Sequence, residues 1–132
     1  MGDLTIYFSR KEFACPCCGK NDINLGLVAK LATARKHADI PFKISSGARC
    51  EKYNDTLVEK GLASKWSSHL KGLAADIVAN KSETKYKIIN SLFQAGFRRI
   101  GIGSNFVHCD IDEDKPQNVV WTYPEVKGVK QV

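Results

Sequence analysis

The chain has 132 residues, 43% of them hydrophobic and 26% charged, enough to bury one core without disulfide staples and ordinary for a globular domain. No apolar run approaches the roughly 20 residues that a membrane-spanning helix needs, and Met1-Gly2-Asp3-Leu4-Thr5 lacks the basic and apolar regions of a signal peptide. A net charge of +6, from 20 basic against 14 acidic residues, suits an anionic partner. The Lys and Arg residues are scattered, however, and form neither the basic stripe nor the aromatic-rich strand of a nucleic-acid module. Synthesis in the cytoplasm, no membrane insertion and no nucleic-acid partner are therefore expected.

Local signals place the elements. Ser9-Arg10-Lys11-Glu12 has the Ser-x-x-Glu pattern of a capping box, which predicts a short helix after Ser9 that ends before the first cysteines. Asn24 is placed to cap a second helix, in which Leu27, Val28, Leu31, Ala34, Arg35 and Ala38 recur at helical spacing. Beyond Pro41, Phe42-Lys43-Ile44-Ser45 reads as a short strand, and Ser46-Gly47-Ala48-Arg49 turns the chain. A helix follows from about Glu51 to Glu59, closed by Gly61. Gly72 to Ala79 alternates and is rich in Ala, Ile and Val, as a strand beside a crowded site would be. Ser82 is the expected cap of a helix through Gln94 that Gly96 ends, and strands follow near Phe97–Ile102 and Phe106–Asp112. Trp121 and Tyr123 are assigned to a C-terminal tail, expected to be disordered over about residues 122–132. Helices first and strands later predict a single α+β domain over residues 1–132, a small antiparallel sheet flanked by helices, with a cysteine-containing N-terminal segment over about 1–24.

The five cysteines divide into a cluster and two single residues. Ala14-Cys15-Pro16-Cys17-Cys18-Gly19-Lys20 contains a Cys-x-x-Cys, half of a structural zinc site, and no second such motif exists. Cys50 could complete a four-thiolate set with Cys15, Cys17 and Cys18, or pair with one of them. In a reducing cytoplasm a metal or free thiols are favoured over a disulfide. The expectation is one catalytic ion, with a structural ion at these four cysteines as the less favoured alternative. Cys109 reads as a small core residue.

The chemistry concentrates in Ser67-Ser68-His69-Leu70-Lys71-Gly72-Leu73-Ala74-Ala75-Asp76-Ile77 and Phe106-Val107-His108-Cys109-Asp110. Two of the three histidines lie there, and His69, Asp76 and His108 offer the nitrogen and oxygen donors that a catalytic zinc takes while keeping one position for water. Period-two geometry puts Val107, Cys109 and Ile111 on an apolar face and Phe106, His108, Asp110 and Asp112 on the opposite, cleft-facing side. In the earlier strand Asp76 shares a face with Gly72, Ala74 and Val78, which leaves room for an ion and a peptide. His69 precedes that strand in a loop. A lone strand His is more often satisfied by packing, and a strand Asp by a salt bridge; the three together point to a metal site. His37, on a helix among polar residues, is assigned no role.

The run Ser67-x-His69-x-x-Gly72-x-Ala74-x-Asp76-Ile77, with Phe106-Val107-His108-x-Asp110, resembles the zinc D-alanyl-D-alanine peptidase family. That family includes bacterial D-alanyl-D-alanine carboxypeptidases and the L-alanyl-D-glutamate endopeptidases of phage lysins. Phe8-Ser9-x-x-Glu12-Phe13, Cys15-Pro16-Cys17-Cys18-Gly19 and Ser46-Gly47-Ala48-Arg49 extend the likeness over most of the chain, to short single-domain members in phages and prophages. The resemblance implies a hedgehog/DD-peptidase-like fold with His69, Asp76 and His108 as zinc ligands. Arg49 would bind a peptide carboxylate or polarise the scissile carbonyl, tasks that suit a guanidinium fork. Ser67 would orient the substrate or its own loop. Several members carry an acid three positions before the last His; here that position is Asn105, so Asp110 is the expected proton-transfer residue and Asp112 a more remote candidate. Two residues along a strand are about 6.6–6.8 Å apart, so Asp110 is expected to act through a water or from behind the ligands.

The expected activity is zinc-dependent hydrolysis of amide bonds in peptidoglycan stem peptides, as a carboxypeptidase or an endopeptidase, in phage or prophage cell-wall lysis. A monomer is expected, reaching the wall after release by a holin or delivery in a virion. The alternative, kept open by Asn105, is a binding module of the same fold that retains zinc and has lost catalysis, as hedgehog-type signalling domains illustrate.

Overall fold

Four strands from the later part of the chain and one from its first half build one five-stranded sheet. The computed structural model describes residues 2–124. Its strands are β1 (Ile44–Ser46), β2 (Ala74–Val78), β3 (Arg99–Ile102), β4 (Phe106–Asp110) and β5 (Val119–Thr122), in the spatial order β1-β2-β4-β3-β5. Neighbours are antiparallel except β3 and β5, which run parallel at one edge. The helices are α1 (Leu25–Ala38), α2 (Glu51–Glu59) and α3 (Ser82–Gln94). The α+β expectation therefore holds, with one parallel pair in a sheet expected to be antiparallel throughout.

The apolar stripe of α1, Leu27, Val28, Leu31 and Ala34, is buried with Ile88 and Leu92 of α3 against Ala75, Ile77, Ile100, Val107 and Cys109 of the sheet. Phe8, Phe13, Phe42 and Phe97 join the same cluster. Burying a side chain of Leu or Phe size contributes about 1.5–3 kcal/mol, so this face of the sheet dictates which residues turn the other way. Asp76, Arg99, His108 and Asp110 do so, lining a cleft on the opposite face.

Several caps fall where the sequence puts them. The Ser9 N–H donates to Glu12 Oε2 at 2.6 Å at the head of a 3-10 turn, Arg10–Phe13. Asn24 Oδ1 accepts the Leu27 N–H at 3.1 Å, and Gly61 follows α2 at φ 72°. Two expectations shift: Lys81, not Ser82, stands at the N-cap of α3, and the first strand begins at Ile44. The tail expectation needs a larger correction, because Val119–Thr122 pair with β3 as a strand; residues 125–132 lie outside the described residues.

Gly72 closes a second 3-10 turn, Ser68–Lys71, at φ 69°, and a Cβ at this position would collide with the backbone carbonyl of Asp22. The left-handed conformation alone costs a non-glycine residue about 1–2 kcal/mol. Gly72→Ala is expected to destabilise the fold by about 2 kcal/mol or more, read as a lower urea midpoint at unchanged slope. An unaltered midpoint would contradict this account of the turn.

Candidate active site

The β2–β4 register sets Asp76 directly opposite His108 and Ala74 opposite Asp110. Asp76 Oδ1 lies 2.9 Å from His108 Nδ1 and 3.3 Å from His69 Nε2. His69 comes from the 3-10 turn before β2, where the Ser67 hydroxyl accepts its N–H at 3.2 Å. One donor atom from each of His69, Asp76 and His108 falls within 4.8 Å of the other two, and all three residues are buried.

The remote nitrogen of each imidazole is held. His69 Nδ1 lies 2.7 Å from the Gly47 carbonyl oxygen, which requires a proton on Nδ1 and turns the Nε2 lone pair toward Asp76. His108 Nε2 lies 2.7 Å from Asp110 Oδ2. Asp110 Oδ1 in turn accepts from Arg99 Nε at 2.7 Å and from the Asp112 N–H at 3.1 Å. A carboxylate or carbonyl behind each imidazole is the arrangement that orients metal-binding histidines.

The electrostatics fit a cation among these donors. Burial pushes His69 down, toward the neutral form that a metal requires. Burial alone would raise the Asp76 carboxyl, but the neighbouring His69 and His108 outweigh it and hold it well below the usual carboxylate range. Burial would lower His108, but the hydrogen bonds to Asp110 and Asp76 outweigh it and raise the imidazole. His108 Nδ1 and Asp76 Oδ1, 2.9 Å apart, are two of the donors that would hold a metal ion, and its binding would displace a proton from the imidazole.

Arg49 closes one side of the cleft. Its Nε donates to Ser46 Oγ at 3.0 Å, one terminal nitrogen to Asn54 Oδ1 at 3.3 Å and to Ser67 Oγ at 3.4 Å, and the other to Asp76 Oδ2 at 3.5 Å. The cleft, of about 250 Å³, is also lined by Arg99, Lys115, Phe106, Trp121 and Tyr123. The Trp121 ring centre is 5.5 Å from that of His108, and the Arg99 guanidinium lies 4.8 Å from the Trp121 ring centre. Gly101 pairs with both His108 and Trp121. A Cβ there would come within 2.7 Å of the Trp121 and Tyr123 rings, so the missing side chain lets the aromatic wall lean onto the histidine.

The structure brings together Arg49, Ser67, His69, Asp76, His108 and Asp110 from the sequence reading. Asp112 is elsewhere: it accepts from Ser68 Oγ at 2.7 Å and from Lys71 Nζ at 3.2 Å, bracing the turn that carries His69. Asn105 does not line the cleft; its carbonyl accepts the Ala79 N–H at 2.9 Å. His37 is exposed on α1, and Cys109 is buried in the core. Sequence reasoning missed Arg99, Lys115, Trp121 and Tyr123. The alternation Arg99-Ile100-Gly101-Ile102 and the β-branched and aromatic run Val119–Tyr123 carried signals for three of them.

Two imidazoles and a carboxylate brought together on a sheet, each braced from behind, put this chain in the class of metallopeptidases. It belongs to the peptidase M15 family, whose family model matches residues 6–110, a span that contains both histidine motifs, Arg49 and every cysteine. The resemblance to the zinc D-alanyl-D-alanine peptidases is thereby borne out. The L-Ala D-Glu endopeptidase ChiX of Serratia marcescens shares the fold, with a TM-score of 0.58 at 20% sequence identity over 68% of this chain and 80% of that one. No curated protein matches the sequence significantly.

Asp110→Asn removes the charge behind His108 while keeping the side chain's shape. It is expected to weaken metal affinity by about 10–100-fold, measured by competition with a chelating dye on protein whose circular dichroism matches the parent. Unchanged affinity would show that His108 needs no such partner.

Proposed function

We propose that the protein is a zinc-dependent peptidase that cleaves an amide bond within peptidoglycan stem peptides. The observation that carries this reading is the buried group of His69, Asp76 and His108 opening on a cleft edged by Arg49, Arg99 and Lys115. Membership of the M15 peptidases supplies the reaction class, and the cationic edge suits the free carboxylates of stem peptides. Between carboxypeptidase and endopeptidase we take the endopeptidase, because the solved structure that shares the fold is named for cleavage between L-Ala and D-Glu. A role in phage or prophage lysis, from the resemblance to short phage members, belongs to the same proposal.

His69 Nε2, Asp76 Oδ1 and His108 Nδ1 would hold the zinc, which when bound supplies Lewis acidity toward a carbonyl and lowers the pKa of a water. The chain's own groups do the rest. Arg49, held at Nε and one terminal nitrogen by Ser46, Asn54 and Ser67, presents a fixed positive charge where negative charge develops on the carbonyl oxygen. Ser67 serves two ends at once, capping the turn of His69 and fixing Arg49. Trp121 and Phe106 wall the cleft, and burial raises the Tyr123 phenol, so its hydroxyl stays protonated as a hydrogen-bond donor. Asp110 is a positioning residue in this scheme, in place of the proton-transfer role expected from sequence. Both of its oxygens are committed, one to His108 and the other to Arg99 and the Asp112 amide.

Mass spectrometry of purified peptidoglycan fragments after incubation with zinc-loaded protein tests the proposal. New peptides split between L-Ala and D-Glu are expected, and they should vanish after chelation and in His69→Ala. Release of terminal D-Ala would instead identify a carboxypeptidase. No product from fully zinc-loaded protein would leave the binding module. Arg49→Lys keeps the charge but loses the fork, and should lower kcat/KM by about 10²-fold; an unchanged value would remove Arg49 from the chemistry.

A further inference from the structure

The fold carries the N-terminal cysteines to Cys50, which directly follows Arg49 in the chain. The sulfurs of Cys15, Cys18 and Cys50 all lie within 4.8 Å of one another, and those of Cys15 and Cys50 are 3.8 Å apart. Thiolates bound to zinc at about 2.3 Å stand about 3.8 Å from each other at tetrahedral angles, whereas a disulfide requires about 2.05 Å. The observed separation, at which the Cys15 thiol donates to Cys50 Sγ, excludes a disulfide and is compatible with two ligands on one ion.

The backbone is arranged around these sulfurs. Gly19 takes φ 78°, its N–H donates to the Cys15 carbonyl at 2.8 Å, and the Cys15 N–H donates to the Lys20 carbonyl at 2.6 Å. Cys15-Pro16-Cys17-Cys18-Gly19 is thus a closed loop that presents Cys15 and Cys18 together. Cys50 caps α2, and its Sγ accepts the Tyr53 N–H at 3.4 Å, at the helix end that favours negative charge. Burial pushes the Cys15 thiol up, but the backbone amides of Cys50, Cys17 and Cys18 outweigh it and bring it down to about 7. The Cys15 thiolate, the form that binds metal, is then accessible at neutral pH, whereas at Cys18 the Lys20 amide is outweighed by burial and by the Cys50 and Cys15 thiols, which raise it.

We propose that Cys15, Cys18 and Cys50 bind a second, structural zinc ion. Cys17, exposed in the same loop, lies outside this three-sulfur group, so the fourth position is left to it after a side-chain rotation or to a water. Thiolates select a soft cation of the zinc type over magnesium or calcium. The sequence did not favour this ion because it lacks a second Cys-x-x-Cys; the fold substitutes one cysteine at a helix cap. Such an ion ties the N-terminal segment to the loop that supplies Arg49 and the Gly47 carbonyl behind His69.

Inductively coupled plasma mass spectrometry of the reduced full chain is expected to find two zinc ions per molecule. Cys15→Ser with Cys50→Ser should leave one, and His69→Ala should also leave one. Cobalt-substituted His69→Ala should retain sulfur-to-cobalt charge-transfer absorption that the cysteine variant lacks, which separates this site from the proposed catalytic one. A single zinc that disappears in His69→Ala overturns the proposal, as does a Cys15–Cys50 disulfide in protein purified under reducing conditions. If the double variant does not fold, the cobalt spectrum of the intact chain decides, and the absence of charge-transfer bands overturns it.

Discussion

One cross-strand register governs this molecule: Asp76 on β2 faces His108 on β4. Because side chains alternate, a slip of one residue would send one partner into the core and bring Ala75, Ile77, Val107 or Cys109 into the cleft. What prevents the slip is on the other face of the sheet, where those four side chains are buried with α1 and α3. Hydrophobic burial, which is strong and non-directional, thereby fixes polar atoms whose function depends on tenths of an ångström. The same register sets the small Ala74 opposite Asp110, and Asp110 reaches back to His108.

The cleft and its supports gather an unusual density of buried charge. Asp76, Asp110, Asp112, Arg49 and Arg99 are all buried, and removing such groups from water costs several kcal/mol each before pairing. Yet among the described residues no buried side-chain nitrogen or oxygen lacks a hydrogen-bond partner. A network of this kind contributes position more than net stability. Each member has its neighbours as its only compensation, so the arrangement tolerates rearrangement poorly and holds the three donors at fixed spacing. A cation among His69, Asp76 and His108 would find its three donors already gathered there.

The parts of this design that local rules control were legible in the sequence. Period-two alternation separated Val107 and Cys109 from His108 and Asp110, and capping chemistry located α1 and the 3-10 turn after Ser9. What was not legible depends on long-range pairing. β5 lies beside β3 as a parallel edge strand, and nothing near Trp121 announces that neighbour. Asp110 was legible as a cleft residue, but its commitment to Arg99 was not, since that bond crosses from β3 to β4. Spacing along the strand, about 6.6–6.8 Å for two residues, concerns backbone positions; the side chains of His108 and Asp110 lean together until they touch at 2.7 Å.

Two kinds of support meet in the segment from Ser46 to Cys50. Asp76 and His108 belong to paired strands, and a hydrogen-bonded ladder fixes them. His69 and Arg49 come from turns, which have no ladder, and they are held by that segment instead. Its Gly47 carbonyl meets His69 Nδ1, its Arg49 N–H donates to the His69 carbonyl at 3.1 Å, and its Ala48 N–H donates to the Phe13 carbonyl at 2.8 Å. Phe13 is itself buried in the core. The N-terminal segment contributes no side chain to the cleft, yet it anchors the loop that orients half of the site. Packing of Phe8 and Phe13 and the backbone bond to Ala48 therefore supply to the turn-borne groups what strand pairing supplies to the others.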